Sequence, residues 1–487
     1  MNIAAISTPA GIGGLAVIRI SGPDSISIVE SIFRPFRQGH ILTERPSHTL
    51  TFGSIVGSDG HLIDEVVVSL YRAPHSFTGE NVVEISCHGS QFIQQSLLKL
   101  LISHGCRLAE PGEFTRRAFQ NGRMDLSQAE AVADLIAANS RASHRLAMSQ
   151  MKGSFSRRLS ALRDQLIELS SLLELELDFS EEEVEFANRQ QLKDLAADIH
   201  SQVSTLAESF RTGDAIRNGI PVTIIGETNA GKSTLLNLLL GDDKAIVSEV
   251  RGTTRDVIED TATLDGTLLR FIDTAGIRDT EDKVERLGIS RTYQRLDRAA
   301  VVVWMIDGTR LGDARLTEEL SEDAIRTLRH IMPYLHREQR LIICINKADL
   351  VAKTQLRTNL PTLQGALNLA LQDTDIDLSP ASELTYVTLS AKEGSGISQL
   401  REAISRAVSI PEMREGDVIV TNLRHYQALT DADAAILRVS AALDANLSGD
   451  LIAEDLRQCN FHLGSIVGQV TNDEILSTIF SRFCIGK

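Results

Sequence analysis

The string GETNAGKS (residues 226–233) constrains this chain more than any other feature. It has the form G-x-x-x-x-G-K-[ST] and stands between an apolar run, VTIIG (222–226), and a leucine-rich one, STLLNLLL (233–240). A phosphate-binding loop needs that order. A strand delivers the chain, glycines let backbone N–H groups turn toward phosphate oxygens, and the following helix N-terminus adds positive potential. Lys232 is then placed to bridge β- and γ-phosphate oxygens, and Ser233 to ligate Mg2+.

The surrounding pattern fits. From Pro221 onward, short apolar runs alternate with helical spacing: LLRFIDT (268–274), AVVVWMID (300–307), LIICINK (341–347) and TYVTLSA (385–391). This is the β-α-β rhythm of a mostly parallel sheet covered on both faces. Four further motifs follow in order. Gly252-Thr253-Thr254-Arg255-Asp256 offers a threonine to Mg2+ from a loop. Asp273-Thr274-Ala275-Gly276 ends a strand where an aspartate can hold the Mg2+ shell and Gly276 can meet the γ-phosphate. Asn346-Lys347-Ala348-Asp349 ends another strand. Asp349 there can accept two hydrogen bonds from the N1–H and N2–H2 edge of guanine, a pair that adenine lacks. Ser390-Ala391-Lys392 suits the loop that covers the base. Together these predict a GTPase. An ATPase of the same loop class is the rival, and equal competition by ATP would favour it.

Two positions depart from Ras-like GTPases. Ile277 follows Gly276 where a water-orienting glutamine would stand, and no arginine finger is evident, although Arg255 and Arg278 are near in sequence. Asn229, inside the phosphate loop, can offer a side-chain oxygen to a monovalent cation, which would neutralise transition-state charge in place of a finger.

Outside this unit the chain reads differently. Alternation in LAVIRI (15–20), VVVSLY (66–71) and NVVEISC (81–87), with helical spacing over 91–105, predicts an α+β block at 1–120. Residues 121–215 and 411–487 read as helical, with stripes at Phe155, Leu159, Leu162, Leu166, Leu169 and Leu173 and at Leu192, Leu195, Ile199, Val203, Leu206 and Phe210. These predict two long packed helices. The economical architecture is one helical domain with a nucleotide-binding domain, 216–410, inserted into it. Net charge is −16, and no segment is basic overall, so a broad phosphate-neutralising face is not visible. Five scattered cysteines without a C-x-x-C argue against a disulfide framework or a structural zinc site. The longest apolar run is far too short for a membrane span, and the N-terminus lacks the basic start of a signal peptide. A cytoplasmic location is expected.

Nearly the whole chain also resembles a known family, the tRNA modification GTPases called MnmE or TrmE. The likeness is carried by TPAGIGGLAVIRISG, SFTGENVVEISCHG, PGEFTRRAFQNGRMDLSQAEAVADLI, GETNAGKST, RGTTRD, DTAGIRDTEDKVERLGI, NKAD and the terminal FCIGK. It implies an N-terminal folate-binding and dimerisation domain, a helical domain and an inserted G domain. It implies action with an FAD-dependent partner, MnmG (GidA), in a heterotetramer-like complex. The product is a carboxymethylaminomethyl or aminomethyl group at C5 of the wobble uridine of certain tRNAs. The carbon would come from 5,10-methylene- or 5-formyl-tetrahydrofolate. A homodimer whose G domains meet across K+ is also implied.

By position, the resemblance assigns GTP contacts to Asn229, Ala230, Gly231, Lys232, Ser233 and Thr234. Further contacts fall to Ser248, Glu249, Val250, Arg251, Gly252, Thr253 and Thr254, to Asp273, Thr274, Ala275 and Gly276, and to Asn346, Lys347, Asp349, Ser390 and Ala391. Ser233 and Thr254 would hold Mg2+, and Asn229 with Ser248, Val250 and Thr253 would hold K+. Glu285 would orient the attacking water, and Lys232 and Cys484 would complete the catalytic set. Arg19, Glu84, Arg123 and Lys487 match folate contacts, although relatives also carry Lys at the third position. Thr228 stands where the family commonly has proline. On the residues alone, Cys484 reads as a packing residue at a helix end, and C-I-G-K is a poor prenylation site. Arg19 and Glu84 alone read as solvated strand positions. The second rival is a regulatory GTPase without its own part in modification chemistry.

Overall fold

The computed structural model describes residues 1–37, 39–178, 189–241, 260–264, 267–272, 296, 299–335, 339–372, 384–407, 418–470, 473–481, 483 and 485–486. They divide into two compact units. One holds 1–137, 147–207 and 423–487; the other holds 138–146 and 208–422.

The first unit begins with a seven-stranded sheet. Its strands are β1 (Asn2–Ile6), β2 (Gly13–Ser21), β3 (Phe33–Pro35), β4 (Thr49–Val56), β5 (Leu62–Tyr71), β6 (Val82–Gly89) and β7 (Cys106–Leu108), in the order β3-β4-β5-β6-β2-β1-β7. Pairing is antiparallel except between β1 and β7. Side chains alternate along each strand, so Ile18, Ile20, Val66, Val68, Val83 and Ile85 all turn to one face. Helices Ser25–Ile32 and Gln91–Ser103 bury Ile26, Val29, Leu97 and Leu101 against that face. Arg19 and Glu84 point to the other side, directly opposite each other across β2 and β6.

The rest of this unit is helical. Phe155, Leu159, Leu162, Leu166, Leu169 and Leu173 line the helix Ser154–Asp178 and are all buried. The helix Arg189–Glu208 lies beside it, with Gln165 Nε2 donating to Asp198 Oδ2 at 2.9 Å. The two stripes do not face only each other. Helix Ser154–Asp178 also packs on Gly449–Val467, where Arg163 Nε donates to Asn460 Oδ1 at 2.8 Å. Helix Arg189–Glu208 meets Leu423–Asp444 through His200 and Asp433. Four helices, two from each side of the inserted unit, therefore share one core. Of the second stripe, Phe210 sits past a break, in helix Phe210–Asn218, which belongs to the other unit. Leu476 and Phe480 of the last helix, Asp473–Phe480, are buried with Leu126 and Ala129.

The second unit is built on a six-stranded sheet: β8 (Ile220–Gly226), β9 (Asp260–Leu264), β10 (Thr267–Phe271), β11 (Val301–Asp307), β12 (Arg340–Asn346) and β13 (Thr385–Thr388), ordered β13-β12-β11-β8-β10-β9. All neighbours are parallel except β9, which runs antiparallel at the edge. Both faces are covered. Val301, Val303 and Met305 join Leu235, Leu239, Leu400 and Ile404 on one side. Val302, Trp304 and Ile306 join Leu320, Leu328, Leu363 and Leu367 on the other. Double burial explains why these strands are continuous apolar runs, whereas β2, β4, β5 and β6 of the first sheet alternate over most of their length.

Candidate functional site: phosphate loop, the loop after β12 and a charged pair on the first sheet

The central strand β8 ends in Gly226, and helix Lys232–Gly241 begins six residues later. The loop between them is tight. Asn229 holds φ 62° and Gly231 φ 96°, both left-handed. A Cβ on Gly231 would overlap Asn346 Nδ2, and one on Gly226 would overlap the Met305 carbonyl oxygen, so neither position admits a side chain. Lys232 Nζ curls over the loop and donates to the carbonyl oxygens of Gly226 (2.8 Å) and Glu227 (2.7 Å). Burial pushes its ammonium below the usual lysine value, and Glu227 pulls weakly the other way. The donor set suits a polyphosphate: a half-buried ammonium, a helix N-terminus and glycines that let the backbone close in.

The loop after β12 is fastened to this one. Asn346 is buried, donates from Nδ2 to the Ala230 carbonyl at 2.7 Å and accepts the Ala391 N–H on Oδ1 at 2.9 Å. One side chain thus joins the phosphate loop, the loop after β12 and the Ser390–Ala391 turn. That turn is closed by the Ser390 N–H to the Ser395 carbonyl at 2.9 Å, and Ser390 Oγ accepts the Glu393 N–H. Lys347 follows in a left-handed conformation, and Asp349 lies exposed in the short 3-10 turn Ala348–Leu350. The structure therefore brings together Ala230, Gly231, Lys232, Asn346 and Ala391, and Asp349 lies three residues beyond the tie. Ser233 is the second residue of the helix, Thr234 follows it exposed, and Asn229 is exposed in the loop.

Sequence motifs alone miss Asp307, the last residue of β11. It receives Lys347 Nζ on Oδ2 at 2.6 Å, and the Thr309 N–H and hydroxyl on Oδ1. Burial would raise its carboxyl pKa. Lys347 and Thr309 outweigh that and hold it below the usual carboxylate range. The available signal was an acid closing a buried strand just before a glycine.

On the first sheet, Arg19 and Glu84 are paired, not separately solvated. Arg19 Nε and a terminal nitrogen both reach Glu84 Oε1, at 2.8 and 2.7 Å. The guanidinium lies 5.4 Å from the Phe77 ring centroid and 5.7 Å from that of Phe114. Arg123 is exposed, its stem beside Gly79. Phe77 and Phe114 were hidden in the strings SFTGE and PGEFTRR. Cys344 is fully buried in β12 and its thiol is pushed up to about 12, as a packing residue should be. The expected residues Ser248, Glu249, Val250, Arg251, Gly252, Thr253, Thr254, Asp273, Thr274, Ala275, Gly276, Glu285, Cys484 and Lys487 lie outside the described residues. Among the described residues no metal-ligand cluster occurs, and no helix is long and apolar enough to cross a membrane.

A closed phosphate loop, an aspartate-bearing loop tied to it and a doubly covered parallel sheet define a P-loop GTPase unit. The family described as MnmE helical domain matches residues 126–484, and the one described as GTP-binding protein TrmE N-terminus matches residues 2–123. The chain is 52% identical over 487 residues to the tRNA modification GTPase MnmE of Parabacteroides distasonis, covering all of both chains. It is 52% identical over 490 residues to the protein of the same name from Bacteroides fragilis, covering all of this chain and 99% of that one. A solved structure, the translation elongation factor SelB from Methanococcus maripaludis with a GTP analogue, matches 40% of this chain and 35% of its own, at 17% identity and a TM-score of 0.28. The chain belongs to the MnmE family of tRNA modification GTPases.

Proposed function

We propose that this protein hydrolyses GTP in order to drive modification of the wobble uridine of certain tRNAs at C5, with a tetrahydrofolate supplying the carbon. An FAD-dependent partner of the MnmG (GidA) type shares the reaction, in the cytoplasm. In this reading, residues 1–120 bind folate and dimerise, 121–215 and 411–487 form the helical domain, and 216–410 form the G domain.

The observation that carries the folate assignment is the Arg19–Glu84 pair beside Phe77. Both arginine contacts fall on Glu84 Oε1, so Oε2 can accept the amino and ring N–H groups of a pteridine. Phe77, 36% exposed, offers a ring against which a flat heterocycle can lie, and Arg19 supplies the cation that a glutamate tail needs. Arg123 and Lys487 would add further positive charge.

In the G domain, Lys232 takes the β- and γ-phosphates, and Ser233 with Thr254 would hold Mg2+. Asn229, Ser248, Val250 and Thr253 would hold K+, which neutralises charge on the phosphates when bound. Glu285 would orient the attacking water. Cys484 would serve the tRNA chemistry. Support within the described residues is the Asn229 side chain, an uncharged oxygen donor exposed in the loop.

The test is thermal stability of the purified protein titrated with 5-formyl-tetrahydrofolate. Binding should raise the melting temperature, with a gain of about 2.7 kcal/mol at a hundredfold excess over Kd. Glu84→Gln should melt close to wild type without folate and lose most of that rise. A wild-type melt untouched by folate would overturn the assignment and favour a regulatory GTPase.

A further inference from the structure

Asp307 ends β11, and Lys347 directly follows the end of β12, where the two strands pair Asp307 with Asn346. Lys347 therefore sits between the residue that closes the phosphate loop, Asn346, and the residue that reads the base edge, Asp349. Its ammonium is drawn back to Asp307 Oδ2 at 2.6 Å, and its backbone is left-handed. Asp307 is itself fixed by two hydrogen bonds from Thr309. Gly308 follows so closely under the Asn346 carbonyl that a Cβ there would come within 2.6 Å of it. The anchor is thus rigid, while a free lysine side chain would lose up to about 2 kcal/mol of rotamer freedom on being ordered.

A lysine stem anchored at its ammonium in this way presents four methylenes as an apolar strip, its charge satisfied elsewhere. A purine whose edge meets Asp349 needs such a strip for its face. We propose that Asp307 is a positioning residue of the guanine site: it holds the Lys347 ammonium so that the stem forms a preset wall for the base. This rests on reading Asn346–Asp349 as the base-reading loop. As an ion pair alone, the contact would add little, since both side chains are a quarter or more exposed and such pairs are worth about 0–1 kcal/mol.

The experiment uses the full-length protein and a fluorescent GDP. Asp307→Asn keeps an oxygen for Thr309 but loses the charge that holds Lys347. It should raise Kd for GDP about tenfold, the scale of one side chain no longer preordered. In GTP turnover the loss should fall on KM. Lys347→Met should weaken binding by a similar factor, and the double variant should be no worse than Lys347→Met alone. Asp307→Glu should recover part of the loss. An unchanged Kd in Asp307→Asn overturns the inference, and so do losses that multiply in the double variant. Asp349→Asn, assayed with GDP against xanthosine diphosphate, separates the two layers. If it fails to shift preference toward xanthine, the base-reading assignment falls and the inference with it. If the shift occurs while Asp307→Asn binds normally, only the positioning role falls.

Discussion

Among the described residues, Asn229 is one of four non-glycine residues held at positive φ, and asparagine tolerates that backbone because its short amide bonds locally. In the proposed cation site, what it contributes is the side-chain oxygen. Asn229→Gly deletes that oxygen without adding backbone strain. We expect wild-type GTP hydrolysis to run at least about tenfold faster in K+ than in Na+ at equal ionic strength, a conservative floor beside the roughly 10³–10⁵ that a supplied arginine finger contributes. The glycine variant should lose the difference, as a phosphate-release assay would read directly. Equal wild-type rates in both salts would refute the cation site. At this scale the sequence was informative where function depends on neighbours in the chain. GETNAGKS and NKAD were legible because their spacing is their geometry. The Asp307–Lys347 contact was not, because forty positions separate the partners and only the register of β11 on β12 joins them. Arg19 and Glu84 were identifiable as residues, yet their mutual pairing is also a product of register.

Among the elements, helix Ser154–Asp178 was the most readable, because six apolar residues at spacings of three and four admit one buried face. Leu162 is fully buried on that face. Leu162→Ala should therefore cost about 2–5 kcal/mol of stability, measured by urea unfolding of the full chain, and the phosphate loop should still bind GDP. A loss under about 0.5 kcal/mol would mean the stripe is not a core, since surface changes fall in that range. The apolar runs of β8, β11 and β12 were equally plain. Strands β1, β4 and β9 were not singled out. β1 is five residues long with four buried, so it shows no alternation, and β9 is a short strand at the sheet edge. The helix stripes identified the buried faces but not their partners, since side-chain spacing carries no information on which of four helices stands opposite.

For the molecule as a whole, the insertion was visible as a change from helical spacing to buried strands and back. What holds the interrupted unit together was not. Glu130, on helix Leu126–Ala137, receives His425 Nε2 at 2.6 Å and two nitrogens of Arg424, at 2.8 and 3.1 Å. Arg424 also donates to the Ser465 and Ile466 carbonyls. The chain re-enters the first unit at Leu423, so this buried cluster fastens it at the point of return. Burial alone would raise the Glu130 carboxyl pKa. His425 and Arg424 outweigh burial and hold it at about 2. A carboxyl lowered in the folded state stabilises fully above its unfolded pKa and loses that contribution as the pH falls through the folded value. Thermal melts should thus weaken between roughly pH 5 and pH 2. Glu130→Ala should cost about 3–5 kcal/mol near neutral pH by leaving Arg424 without its buried partner, and should flatten that acid limb. A melt within a degree of wild type would show that the cluster contributes nothing. The interrupted bundle also bears on biosynthesis. Arg163 leaves the ribosome 297 residues ahead of Asn460, which at about 5–20 residues per second means roughly 15–60 seconds. Throughout that interval the leucine ridge of a nascent helix lacks the part of its cover that Gly449–Val467 will supply, and exposed apolar surface of that kind is what makes a nascent chain prone to aggregate.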